Sequence, residues 1–148
     1  MQGVNLPLNP GGDIPPLPKD VTSLSEESLM ELFVSLTGWS DYASTQAVFA
    51  QIDERDAQRN LDMAEASATS TNWTGGRDDR VAIAKAKVAS DPGVVAAREV
   101  LDARHAYRKL VEVVASNLER DASVVSREIT RRTSGASGLA RRASRWST

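Results

Sequence analysis

The sequence predicts an all-α protein: an elongated helical hairpin of two long helices, with a short helix at the turn and an unstructured arm at each end. Three observations support this. Alanine is abundant and long segments lack glycine and proline, an apolar seam recurs every seven residues, and five of the six prolines fall before residue 22. The 148 residues correspond to about one domain. The lack of cysteine excludes disulfides and thiolate metal sites.

Residues 1–22 form the first predicted segment, a proline-rich arm. The prolines and the Gly11-Gly12 pair prevent a stable helix there. Leu6, Leu8 and Leu17 nevertheless give the arm apolar side chains. Two interpretations therefore stay open, a flexible terminus and an arm that docks on another surface.

The first long helix is predicted to begin after Ser23, which with Glu26 has the spacing of a capping box, and to run to about residue 70. Its seam repeats every seven residues, which is typical of a coiled-coil-like contact. The seam positions are Leu29, Leu36, Ala43, Ala50, Ala57 and Ala64. Alanine at four of them would let a partner helix approach closely.

The stretch NWTGGRDDR, residues 72–80, separates the helical segments. We interpret it as the corner of the hairpin. Trp73 would pack the corner, the two glycines would allow the turn, and Arg77 and Arg80 would add some phosphate contact. A short helix is predicted over residues 80–90.

The second long helix is predicted to start at Asp91-Pro92, with aspartate as N-cap and proline at the first helical position. It should end near Arg132, before the glycines of residues 133–138. The predicted organisation is thus an arm (1–22), a hairpin domain (23–132) and a flexible basic tail (133–148). Two such helices alone would be marginal in water, so we expect a homo-oligomer. The second helix would add these residues to the seam: Tyr107, Leu110, Val114, Leu118 and Val125.

Charge is distributed unevenly along the chain. Residues 1–76 carry 3 basic and 11 acidic residues, a net −8, whereas residues 77–148 carry 15 basic and 9 acidic residues, a net +6. The basic half could face a polyanion, or it could pair with the acidic half of the same chain or of a neighbour. The candidate DNA-binding residues are Arg77, Arg80, Arg120, Arg127, Arg131, Arg132, Arg141, Arg142, Arg145 and Trp146.

Catalytic and targeting patterns are weak. The single histidine, His105, lies between Arg104 and Arg108, and no spacing of acidic residues indicates a metal site. We therefore expect a non-enzyme with no cofactor. The start lacks the pattern of a secretory signal, and no apolar run reaches about 18 residues. We expect a cytoplasmic protein without membrane contact, in the host cytoplasm if it is phage-encoded.

The order of these elements resembles the phage recombination mediators of the UvsY type, over residues 25–133 or so. Trp73-Thr74-Gly75 stands where that family has a loop that reads roughly Tyr-Ser/Thr-Gly after its first long helix. Asp91-Pro92 matches the opening of its last helix, and residues 127–133 match its basic end. Residues 63–71 depart from the pattern, since they lack the family's basic residues. The resemblance implies an oligomer that binds single-stranded DNA and helps load a RecA-like recombinase onto strands covered by a single-strand-binding protein.

Two other functions stay open. The chain could be a helical adaptor in a larger assembly, such as a phage particle, with both arms lying across neighbours. Trp73-Thr74-Gly75 also matches the turn of secreted WxG-type helical hairpins. That family's Tyr-x-x-x-Asp/Glu signal is missing, because Val111 follows Tyr107 at that spacing. We rank this third.

Overall fold

A computed structural model describes residues 3–72 and 78–145, and confirms the all-α fold. A short 3₁₀ turn, Val21–Ser23, precedes three helices: α1 (Glu26–Asn72), α2 (Asp78–Ser90) and α3 (Pro92–Arg145). The two long helices, α1 and α3, pack against each other, and α2 is the short helix between them.

The start of α1 differs from the predicted capping box. Ser25, rather than Ser23, caps the helix: its Oγ accepts a hydrogen bond from the Ser28 amide at 3.1 Å. Ser23 instead ends the 3₁₀ turn, and its hydroxyl donates to the Asp20 carbonyl. The prediction from the S-x-x-E spacing was therefore wrong, because the residue that it designates as the cap belongs to the preceding turn.

The start of α3 matches the prediction. The Asp91 carboxylate accepts hydrogen bonds from the amides of Gly93 and Val94, at 2.9 and 3.2 Å. These amides belong to the first turn and have no partner within the helix. Pro92 follows at the first helical position, where no amide hydrogen is needed.

The end of α3 differs from the prediction, because the helix continues past Arg132 to Arg145. The intervening Gly135 and Gly138 keep helical geometry, with no positive φ. A glycine inside a helix costs only about 1 kcal/mol relative to alanine, and no proline follows to stop the chain. Residues 133–145 therefore extend the last helix instead of forming a flexible tail.

Contacts divide the chain into two units. Unit 1 comprises Met1–Thr45 and Val113–Thr148, and unit 2 comprises Gln46–Glu112. The core of unit 1 joins the first half of α1 to the second half of α3. Its buried side chains are Leu29, Leu36, Trp39, Ala43, Leu118 and Val125.

Unit 2 has a thinner core. Ala50 and Ala57 continue the buried seam, Ala64 is half-buried, and Leu61, Ala68 and Val94 form a buried cluster. The α1 seam thus lines a packed helix face within the chain, and Leu118 and Val125 of α3 are buried against it. The other three α3 positions predicted for the seam do not pack within the chain, since their side chains are exposed: Tyr107, Leu110 and Val114.

The proline-rich arm lies on unit 1. Leu17 packs against the core, and its neighbours Pro15 and Pro18 are half-buried. Farther out, the Pro10 ring lies beside Gly38 of α1. Of the two interpretations of the arm, the structure therefore agrees with docking, here on the arm's own chain.

Truncating the unit 1 seam should destabilise the protein. Leu36 is fully buried, so Leu36→Ala is expected to lower the free energy of unfolding by about 3 kcal/mol through lost burial and the cavity left behind. Urea denaturation followed by circular dichroism measures this. Val34→Ala, at an exposed position two residues away, is the matched control and should change stability by less than about 0.5 kcal/mol. Equal effects would contradict the assigned helix face.

The cap of α3 provides a second test. Asp91→Ala leaves two amides without a partner and should cost about 1 kcal/mol, whereas Asp91→Asn keeps an acceptor oxygen and should cost much less. Thermal unfolding of both variants separates these outcomes. A loss as large for asparagine as for alanine would show that the cap contributes little.

Candidate nucleic-acid interface

Six arginines share one side of the second half of α3. At about 100° per residue, all six point within about 60° of the direction of Arg127. We call this surface the arginine face; it consists of Arg120, Arg127, Arg131, Arg141, Arg142 and Arg145. All six residues are exposed. The extension of the helix to Arg145 matters here, because it brings the last three arginines into line with the first three.

The arginine face points away from the core of unit 1. Leu118 and Val125 are buried, and at about 100° per residue they point about 160° to 180° away from Arg127. A ligand could therefore contact the arginine face without disturbing the packing of α3 on α1.

Arg132 does not belong to this face, although the sequence grouped it with Arg127 and Arg131. Its guanidinium is mostly buried, and it donates to the Leu24 carbonyl at 2.8 Å and the Thr22 carbonyl at 3.2 Å. It also donates to Glu128 Oε1 at 2.8 Å. These bonds tie the segment before α1 to the last part of α3, so Arg132 holds the fold and has few donors left for a ligand.

Glu128 is the partner of two arginines and is only 6 % exposed. Arg131 binds both of its carboxylate oxygens at 2.7 Å, and Arg132 binds one of them. These two guanidinium groups, Arg131 first, lower the pKa of Glu128 from 4.5 to about 2. Arg131 is thus partly neutralised by Glu128, although its side chain remains 66 % exposed.

The other arginines of the face are held more loosely. Arg120 meets Asp121 at 3.4 Å, and Arg141 donates to the Ser137 carbonyl at 3.3 Å. Within the described part of the chain, Arg127, Arg142 and Arg145 have no acidic side chain within 4 Å. These three arginines are the most available cations of the arginine face.

Several candidates from the sequence lie beyond the described residues. Trp73, Arg77 and Trp146 fall outside them, and Arg80 belongs to α2 although its side chain is not described. Their predicted roles stay predictions.

In unit 2, basic residues of α3 form ion pairs with acidic residues of α1 instead of facing solvent without a partner. Arg98 donates to Glu65 at 3.2 Å, and Arg104 lies 3.9 Å from Asp53. These pairs correspond to the second interpretation of the charge asymmetry, in which the two halves of one chain neutralise each other.

Glu54 is the centre of the least exposed of these ion pairs. Arg108 donates to it and His105 Nδ1 lies 2.7 Å from its carboxylate. Arg108, and then His105, lower the pKa of Glu54. The interpretation of the sequence considered His105 as a catalytic candidate and missed this cluster. The signal was available in the spacing, since His105 and Arg108 are three residues apart and share a helix face.

Comparisons with known proteins add no assignment, because no family model, curated protein or solved structure matches the chain. Among the described residues, no group of three or more histidines and acidic residues is placed to hold a metal ion. No helix in residues 3–72 and 78–145 is long and apolar enough to cross a membrane.

The Glu128 cluster predicts a pH dependence. Because folding lowers the pKa of Glu128 from 4.5 to about 2, its contribution to stability is complete above pH 4.5 and disappears as the pH falls towards 2. Glu128→Gln should therefore be less stable than the parent chain at pH 7, and the difference should shrink on acidification. Urea unfolding at pH 7 and pH 3 measures it. The exposed Glu119→Gln is the control; a constant difference for Glu128→Gln would contradict the assignment.

Proposed function

We propose that this chain binds single-stranded nucleic acid through the arginine face of α3. The observation that carries the proposal is the alignment of six exposed arginines over residues 120–145, opposite the core. Arginine neutralises phosphates and donates several hydrogen bonds from a planar group, which suits a phosphate backbone.

The shape of this surface favours a single strand over a duplex. The six arginines extend over about 38 Å of one helix, at about 1.5 Å per residue. They form a row on a convex surface rather than the walls of a groove. A single strand can place successive phosphates along such a row, whereas each strand of a stiff duplex winds around the duplex axis and would meet only part of it.

In this proposal the protein is a non-catalytic recombination mediator that helps load a RecA-like recombinase onto DNA covered by single-strand-binding protein. Support comes from the resemblance to the UvsY type and from the separation of Arg127, Arg142 and Arg145 from acidic partners. Several copies acting together would raise the avidity for one strand by about 10²- to 10⁴-fold without new contacts. The place of action would be the cytoplasm of the cell, or of the host if a phage encodes the chain.

A second candidate is a helical adaptor within a larger assembly, such as a phage particle. It is favoured by the ion pairs of unit 2, in which basic residues of α3 already neutralise acidic residues of α1. An adaptor would bind a neighbouring protein and show little affinity for DNA.

Fluorescence anisotropy of a labelled single-stranded oligonucleotide, titrated over a salt series, tests the proposal. If each arginine of the face neutralises one phosphate, the log–log slope of affinity against salt is about −4. Arg127→Gln combined with Arg145→Gln should weaken binding and reduce the magnitude of the slope by about 1.4.

Arg59→Gln is the matched control, because Arg59 is an exposed arginine of α1 in unit 2 that pairs with Asp56. It should leave both affinity and slope unchanged. Duplex of the same length should bind more weakly than the single strand. No binding at low salt would contradict the proposal and leave the adaptor as the better candidate.

A further inference from the structure

Unit 2 exposes more large apolar side chains than it buries. Among its described residues, the large side chains in the buried core are Leu61 and Val94, and the other buried positions are alanines. The exposed large apolar residues of the unit are Val48, Phe49, Ile52, Met63, Ile83, Val95, Val100, Tyr107 and Leu110. Single exposed apolar residues are ordinary, but a group of them around a thin core indicates a surface that another molecule covers.

Four of the exposed apolar residues on α3 have coiled-coil spacing. Val100, Ala103, Tyr107 and Leu110 alternate three and four residues apart, which corresponds to positions a, d, a and d of a heptad. We call this set the α3 stripe. Val100, Tyr107 and Leu110 are 50 %, 52 % and 67 % exposed. The stripe is separate from the residues that α3 packs inward, such as Val94 and Leu101.

Opposite charges flank the stripe on its two sides. In the same heptad register, Glu99 occupies position g of the preceding heptad and Arg104 occupies position e of the heptad that begins at Val100. Glu99 is exposed and has no basic side chain within 4 Å in the described part of the chain. Arg104 is half exposed and lies 3.9 Å from Asp53, the longest ion pair of the described residues. Glu99 is therefore available for a partner, and Arg104 would have to exchange only its long contact with Asp53 for one.

We propose that the α3 stripe is a self-association surface on which a second copy of this chain packs its own α3 stripe, with the two helices parallel. This inference specifies how the several copies of the proposed function would associate. The association itself does not depend on DNA binding.

Charge complementarity is what selects a second copy in parallel orientation. In a parallel pair, position g of one helix lies beside position e of the other, five residues farther along. Glu99 of each copy then meets Arg104 of the other copy, and the two-fold symmetry makes this pair twice. If the helices ran antiparallel, with Val100 of one beside Leu110 of the other, the two Arg104 side chains would face each other and repel.

Sedimentation equilibrium of the full chain, from about 1 μM to about 1 mM, tests the inference. The parent chain should shift from one copy to two or more as concentration rises. Leu110→Glu puts a charge at the most exposed of the three large side chains of the stripe and should abolish this shift. Met63→Glu is the matched control, since Met63 is 70 % exposed in the same unit but lies on α1; it should associate as the parent does.

A charge exchange tests the orientation. Glu99→Lys and Arg104→Glu should each weaken association about tenfold, because each pure variant opposes like charges at both of its two pairs across the parallel contact. An equimolar mixture of the two variants should associate better than either variant alone. In the mixed dimer, both pairs between position 99 of one copy and position 104 of the other combine opposite charges. Circular dichroism is the control for folding and should show an unchanged helix content for both variants. This control is needed because Arg104→Glu places a carboxylate near Asp53.

The outcomes separate this inference from the proposed function. A parent chain that stays monomeric at about 1 mM, or a Leu110→Glu variant that still associates, overturns the α3 stripe. A mixture without rescue overturns the parallel arrangement. If Leu110→Glu is monomeric but still binds single strands with lower avidity, both proposals stand. If oligonucleotide binding is absent while association is normal, the DNA proposal fails and the α3 stripe stands.

Discussion

The seven-residue seam of α1 is the contact on which both units depend. In unit 1 it presents Leu29 and Leu36, which pack with Trp39 of the same helix and with Leu118 and Val125 of α3. In unit 2 the same seam presents Ala50 and Ala57. Because alanine buries far less apolar surface than leucine, the two halves of one continuous helix contribute unequally to stability.

The thin alanine seam explains why polar contacts between α1 and α3 concentrate in unit 2. Ion pairs such as Arg98–Glu65 are nearly half exposed, and solvent-exposed pairs contribute little. The Glu54 cluster is better shielded, since the side chains of Glu54 and Arg108 are mostly buried. In unit 1, by contrast, the central ionic contact is structural, because Arg132 and Glu128 hold the segment before α1 against α3.

This difference between the two cores separates the proposed binding surfaces. The arginine face lies in unit 1, where a large apolar core holds α3 and leaves arginines such as Arg127 exposed and without an acidic partner among the described residues. The α3 stripe lies in unit 2, which exposes more large apolar side chains than its core buries. Each surface therefore follows from what the core of its own unit can accommodate, and substitutions at one need not disturb the other.

The sequence by itself determined the helical class, the seam of α1 and the Asp91 cap of α3. These depend on local spacing and on hydrogen bonds within one turn. Only the tertiary structure decided that Ser25 caps α1, that Arg132 is bound inside the fold while Arg127 faces outward, and that Leu110 is exposed while Leu118 is buried. The last two depend on the partner that meets each side of a helix, whereas the choice of cap depends on the 3₁₀ turn that holds Ser23 before α1. The extension of α3 to Arg145 was also beyond the sequence pattern, since two glycines weaken a helix without ending it.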